Sequence, residues 1–288
     1  MRVNTERSFM RRISFAIGVV CSLNASVLLA QPYQLELGIG LSQIEFTIDD
    51  SFAGTESFEF DATAFGGRYY LEPVDTDSGP LAERAFLNKS AFVGFSYAET
   101  DPEFESGEGV DTTSIETRFV TEADTIIELD YGTVDGSDDS ESDEYRIGAG
   151  KYLDEQTTFV VSFNREEDDD FTFDTISIGV RKVEENSEVN TAVSYEAAIG
   201  ILELSNNFGD DADGLQFIGS FLYYPSDQLG IGGSVLYFEL EEEDTKSFGI
   251  SASFFLNEEF SLQAGLEKSE TSFDTETDLV LVGLTARF

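Results

Sequence analysis

Histidine and tryptophan are absent from the 288-residue sequence, and its one cysteine, Cys21, lies near the N-terminus. Without histidine, neither a Ser-His-Asp or Cys-His nucleophile nor a histidine-ligated zinc site can be built. Beyond Cys21 no disulfide framework is possible. Positive charge is also scarce: 16 Lys and Arg stand against 58 Asp and Glu, a formal charge of −42. Phosphate binding needs clustered cations, so this repulsive field argues against a nucleic-acid partner. Past residue 30 there is no run of about 20 apolar residues, and hence no transmembrane helix.

Residues 1–30 read as a separate object. Arg2, Arg7, Arg11 and Arg12 give a positive start, Ile13 to Leu29 is mostly apolar, and Ala30 precedes Gln31-Pro32. This is the layout of a secretory signal peptide cleaved after Ala30, although Leu28 stands where a small residue is usual. The apolar stretch is short and broken by Asn24, which disfavours a permanent anchor. Gly18-Val19-Val20 before Cys21 does not form a lipoprotein box. The expected organisation is a signal peptide over 1–30 and one domain over 31–288. Four Arg and one Glu fall in the signal, so the downstream 258 residues hold 12 basic and 57 acidic residues, a formal charge of −45.

Against these absences stand 26 Phe and 11 Tyr, too many rings for a disordered acidic chain. Apolar and polar residues alternate with period two. Leu35, Leu37, Ile39 and Leu41 interleave with Glu36, Gly38 and Gly40, and Ile127, Leu129 and Tyr131 with Glu128 and Asp130. Repeated down a chain, this pattern means half-buried antiparallel strands. It predicts fourteen, near 33–46, 57–71, 90–98, 112–120, 125–134, 144–152, 157–164, 172–182, 189–203, 214–224, 229–240, 246–256, 260–268 and 277–288; twelve is the alternative count. Short turns at Thr121–Asp124, Leu153–Gln156, Pro225–Gln228 and Asn257–Glu259 take turns with longer acidic connections. The latter are Glu99–Asp111, Asp135–Glu144, Arg165–Asp170, Asn206–Gly214 and Glu239–Lys246. Short turns on one side and long loops on the other predict an all-β, antiparallel, up-and-down barrel of the outer membrane, with the short turns periplasmic.

In a bilayer an open sheet edge leaves backbone groups unpaired at several kcal/mol each, so the last strand must pair with the first. The final segment places Val280, Val282, Leu284, Ala286 and Phe288 on one face, an apolar stripe ending in an aromatic residue. Such an ending resembles the signal read by the barrel-assembly machinery. The expected surroundings are outer-membrane lipid and lipopolysaccharide.

One connection breaks the short-turn rule: GGRYYLEPVDTDSGPLAERAFLNKSAFVGFSYAE (Gly66–Glu99). Pro73 is expected to end the second strand, and Gly79-Pro80 to open a short helix over Leu81–Leu87. This segment resembles the general bacterial porin family of Gammaproteobacteria, with chain size and terminal Phe agreeing. The resemblance implies an outer-membrane channel and brings no assigned functional residue with it. For the segment itself the expected role is to cap the periplasmic rim.

If the apolar stripes face lipid, their neighbours face a lumen. That predicts inward positions for Glu116, Arg118, Glu128, Asp130, Arg146, Arg181, Glu196 and Glu267, with Gln216 and Arg287 as further candidates. Arg68 joins them if Gly66-Gly67 forms a bulge. Hairpin arithmetic sets Arg118 opposite Glu128 and Arg146 opposite Asp130. Opposed acid and base rows create a transverse field that sets ion preference; equally, they brace a narrow lumen by mutual compensation. No cofactor is expected. GDDADG (Gly209–Gly214) has Gly at the first ligand position of a calcium loop and fails the pattern. Carboxylate pairs occur in nearly every loop and single out no catalytic site. The sequence therefore predicts no enzyme but a passive porin for ions and small hydrophilic solutes, preferring cations, as monomer or trimer. The rival is a closed-lumen structural or adhesin-type barrel whose acidic loops bind a surface partner.

Overall fold

The computed structural model describes residues 32–288 apart from 51–53, 76–78, 103–108, 137–140, 169, 187, 190, 207–210, 241–242 and 273–274. The expected signal peptide and the middles of several acidic connections lie outside the described residues. Fourteen strands form one closed antiparallel barrel, each paired with its sequence neighbours and the last with the first. In chain order they are β1 (Tyr33–Asp50), β2 (Gly54–Val74), β3 (Phe92–Pro102), β4 (Val110–Val120), β5 (Thr125–Asp135), β6 (Glu141–Tyr152) and β7 (Thr157–Asp168). There follow β8 (Phe171–Asn186), β9 (Thr191–Asn206), β10 (Asp211–Ser226), β11 (Leu229–Leu240), β12 (Glu243–Phe255), β13 (Phe260–Thr271) and β14 (Thr275–Arg287).

The period-two pattern decides which side chains meet lipid. Ile39, Phe65, Ile115, Ile147, Ile178, Ile199, Phe221, Phe248, Leu266 and Val282 are all exposed on the outer face. In water so many exposed large apolar residues would drive association; in a bilayer they are solvated by acyl chains. Above this band sits a row of tyrosines whose hydroxyls donate to carboxylates: Tyr97 to Asp111 (3.1 Å), Tyr131 to Asp143 (2.8 Å) and Tyr237 to Glu239 (2.7 Å). An apolar ring with a wet tip suits the membrane–water interface.

The seam closes as the C-terminal stripe requires. β1 and β14 pair without interruption from Glu36↔Arg287 to Ile48↔Thr275. Phe288 extends the ladder, its N–H donating to the Leu35 carbonyl at 2.8 Å. Val280, Val282, Leu284 and Phe288 are exposed on the outer face, and Ala286 is half-buried on the same stripe.

Three local expectations are corrected. There is no bulge at Gly66-Gly67: β2 holds its register there against both neighbours, and the one shift lies between Tyr33 and Leu35. Pro73 does not end β2, which runs to Val74 and pairs with Tyr33 beyond that shift, where a missing N–H is tolerated. The acidic connections are also shorter than expected. β11 stops at Leu240 and β12 starts at Glu243; β7 stops at Asp168 and β8 starts at Phe171. Much of what reads as acidic loop is ladder continued above the bilayer, where outward carboxylates are hydrated. A strand needs only about 9–11 residues to cross a membrane, whereas β2 has 21 and β8 to β10 have 16 each.

Between β2 and β3 the chain turns into the barrel. A 3-10 turn (Leu81–Glu83) runs into one α-helical turn, α1 (Arg84–Leu87), as predicted. Gly79 has φ +78°, and a Cβ there would lie 2.0 Å from Glu185 Oε1, so the entry turn needs glycine. The segment docks on three apolar patches: Leu81 against Phe255; Phe86 against Ile126, Tyr152 and Val183; and Ala85 against Tyr33, Tyr70 and Val74. It thus lies across the periplasmic end and caps that rim.

Candidate functional site

Above this segment the barrel encloses a cavity of about 460 Å³. Its lining includes all nine expected lumen residues: Arg68, Glu116, Arg118, Glu128, Asp130, Arg146, Arg181, Glu196 and Glu267. Arg68 faces inward with no bulge, because Phe65, Tyr69 and Leu71 hold the outward stripe on β2. Gln216 is not among the lining residues, and Arg287 reaches only the floor, buried at 1 % exposure.

The charges are organised by strand pairing. Arg118 stands opposite Glu128 across β4–β5, and Asp130 opposite Arg146 across β5–β6. Arg146 binds both carboxylates, Asp130 at 3.1 Å and Glu128 at 3.2 Å, while Arg118 approaches Glu128 at 3.6 Å. Arg68 grips Glu116 with two bonds of 2.6 and 3.2 Å, a bidentate geometry that fixes both groups. It also lies 4.9 Å over the Phe92 ring. These groups cover an arc from β2 to β6.

Arg181 on β8 reaches a partner that periodicity does not reveal. It binds Glu83 of the capping segment at 2.6 Å, and Tyr224 on β10 donates to the other Glu83 oxygen at 2.8 Å. Glu83 is 1 % exposed, so these bonds compensate its desolvation. Arg181 also stacks 4.6 Å over the Phe86 ring, and Tyr152 donates to the Phe86 carbonyl at 2.9 Å. Next to Glu83, Arg84 turns back to donate to the Gly79 carbonyl at 2.8 Å. Burial lowers its guanidinium from the ordinary arginine value, opposed by the Asp227 carboxylate. At the seam Arg287 pairs with Glu36 at 2.9 Å, both groups buried, and leans over Tyr33 at 4.1 Å.

The opposite arc is built differently. From β10 to β13 the cavity is lined by Ser220, Gly233, Ser234, Gly249, Ser251, Ser253, Gln263 and Gly265. Apart from Gln263 these side chains are short, so they leave the cavity open along this wall. One register row crosses it: Glu196 pairs with Ser220, Ser220 with Ser234, Ser234 with Gly249 and Gly249 with Glu267. The row begins and ends on a carboxylate. Neither Glu196 nor Glu267 has a cation within ion-pair distance among the described residues, whereas Arg68, Arg118, Arg146, Arg181 and Arg287 are each paired.

The extracellular third of the interior is apolar, which the alternation did not announce. Ile44, Phe46, Leu202 and Leu240 are buried there, and Phe173 stacks on Phe238 with ring centroids 5.8 Å apart. The sequence reading also missed Glu83, Tyr224 and Glu36. A single acid, next to Arg84, in the otherwise apolar LAERAF stretch was the available signal for Glu83.

Known structures share this fold. The outer-membrane protein Omp33 of Acinetobacter baumannii superposes with a TM-score of 0.58 at 19% identity, covering 90% of this chain and 100% of that one. A deletion mutant of the TodX monoaromatic hydrocarbon channel gives 0.54 at 8% identity, covering 89% and 91%. An anion-selective porin from Comamonas acidovorans gives 0.50 at 8% identity, covering 88% and 99%. No protein of curated function matches the sequence. Residues 40–288 match the family described as "Putative general bacterial porin". The chain belongs to that family and is a β-barrel porin of the bacterial outer membrane.

Proposed function

We propose that this porin prefers cations, and that Glu196 and Glu267 set the preference. The observation that carries this reading is the imbalance of pairing inside the cavity. Its arginines are each held within ion-pair distance by another carboxylate, while these two have no cation that close among the described residues, although Arg181 stands opposite Glu196 across β8–β9. They stand four strand spacings apart, roughly 19 Å along the wall. A permeating cation near the Ser/Gly arc therefore meets negative potential on both flanks of that wall, whereas an anion meets no unpaired arginine among the described residues. The formal charge of −42 over the whole chain adds a long-range term that enriches cations at the mouth at low ionic strength. Residues 1–30 serve as the export signal in this reading, and the terminal stripe ending in Phe288 as the mark for barrel assembly. The solutes are ions and small hydrophilic molecules.

The test is the zero-current potential of the refolded barrel in a planar bilayer under a KCl gradient. A potential with the sign for K⁺ is expected, growing as ionic strength falls. The opposite sign would remove the proposal while leaving a channel. A folded, inserted barrel that never conducts would favour the structural or adhesin-type alternative.

A further inference from the structure

Above the cavity the inward positions change character. Ile44, Phe46, Leu202 and Leu240 point into the barrel, because Leu41, Ile201 and Val235, of the opposite parity on the same strands, are exposed on the lipid face. A side chain beside a water-filled passage keeps exposed surface, as the half-buried Gln263 and Glu267 of the cavity do. The four apolar residues are only 2, 5, 1 and 6 % exposed, in that order. Phe173 and Phe238 stand on β8 and β11, three strand spacings or roughly 14 Å apart along the wall. Their rings nevertheless stack with centroids 5.8 Å apart, so both lean off the wall toward each other. Two register rows lead from the cavity to this level. Asp130, Arg146, Asn164, Thr175 and Leu202 are successive partners from β5 to β9, and Glu267, Leu279 and Ile44 from β13 to β1.

We propose that these residues form an apolar collar that filters solutes between the outer mouth and the cavity, favouring organic ammonium ions with an alkyl body over hydrated alkali ions. The reason is what each solute can exchange for water. An alkali ion sheds hydration among Leu, Ile and Phe side chains and finds almost no oxygen in return, so an apolar constriction opposes it. An alkyl chain loses nothing there, and each methylene it buries is favoured about four-fold over water. The collar thus sorts solutes by apolar length, and the charged cavity beneath it sorts them by sign. The collar itself stands on packing alone, whereas the choice of ammonium as the charged end rests on the cation-preferring reading.

The experiment uses the refolded barrel in a planar bilayer and reads two quantities. One is single-channel conductance in KCl. The other is the bi-ionic reversal potential of KCl against the chlorides of methyl-, propyl- and pentylammonium. The proteins are the wild type, Leu202→Asn, Leu240→Asn and Leu202→Ala, each first shown to fold by heat-modifiable mobility. Asn keeps the size of Leu and offers water hydrogen bonds, whereas Ala widens the collar without adding polarity. In the wild type, permeability relative to K⁺ is expected to rise along the alkyl series, opposite to sieving by size. Either Asn variant should raise K⁺ conductance about five-fold, the worth of one hydrogen-bond-sized contact, and flatten the series. Leu202→Ala should keep the series rising. A wild-type series that falls with chain length, K⁺ conductance unmoved in both Asn variants, or a series flattened equally by Ala would overturn the collar. The sign in a KCl gradient keeps the two proposals separate: an anion sign removes the cation reading and the ammonium with it, while the conductance of the Asn variants still decides the collar.

Discussion

Two arcs of the same wall line the cavity, and they solve the inward-facing problem in opposite ways. From β2 to β8 several inward positions carry long charged side chains locked into pairs, with Arg146 shared by Glu128 and Asp130 and Arg181 held by Glu83. From β10 to β13 they carry mostly Ser and Gly beside Leu222, Tyr224 and Gln263, with Glu267 as the lone acid. The charged arc is a brace. Each cation there is already neutralised, so its net field is small despite its many charges. The smooth arc has few charges, yet that is where unpaired negative potential and free volume coincide. The teaching is that the number of lumen charges predicts selectivity poorly; which of them lack partners predicts it better.

The largest expected effect comes from blocking the smooth arc. Ser251 pairs with Gly232 and Gly265, so its two direct cross-strand neighbours carry no side chain, and a ring there would meet Leu222, which lies over Gly232. Ser251→Trp should leave the barrel folded, read by its heat-modifiable mobility, and reduce single-channel conductance several-fold. The same replacement at Ser162, buried and hydrogen-bonded to Ser177 at 2.8 Å, should instead overpack the braced arc. It should cost about 1–3 kcal/mol in denaturant unfolding. Equal conductance loss from both would erase the distinction between the arcs.

A smaller effect is expected from loosening the brace at its hub. Glu83→Gln keeps the size but weakens the charge-assisted bond to Arg181, which should cost about 1–3 kcal/mol of stability in a urea titration of the folded barrel. It also frees a cation, so cation preference should fall. Subtler again is Arg146→Ala. It takes the positive partner from Asp130 and leaves Glu128 to Arg118, so the zero-current potential should shift further toward K⁺. No shift would mean that the paired acids stay electrically silent even when exposed.

Much of this was legible in the sequence where local rules decide. Once Thr121–Asp124 is a turn, antiparallel pairing forces Arg118 opposite Glu128, and the next hairpin forces Asp130 opposite Arg146. Strand number follows from the same alternation, as does the seam from the terminal stripe. What escaped was set by the closed shape. Glu83 meets Arg181 and Tyr224 at sequence separations of 98 and 141, and Glu36 meets Arg287 at 251. Hairpin arithmetic reaches neither across a lumen nor across the seam that joins β14 to β1. Strand ends were missed for another reason: acidic residues read as loop, although above the bilayer a ladder tolerates outward carboxylates as readily as a loop does. The Ser/Gly arc was visible residue by residue, but its meaning depends on five strands standing in one register row.

The most direct test of the central claim is the zero-current potential of the Glu196→Gln/Glu267→Gln double variant beside the wild type, in one KCl gradient. Both substitutions preserve shape and leave the paired charges of the opposite arc in place. The account predicts a K⁺-signed potential in the wild type that falls close to zero in the double variant. A double variant as cation-selective as the wild type would contradict it.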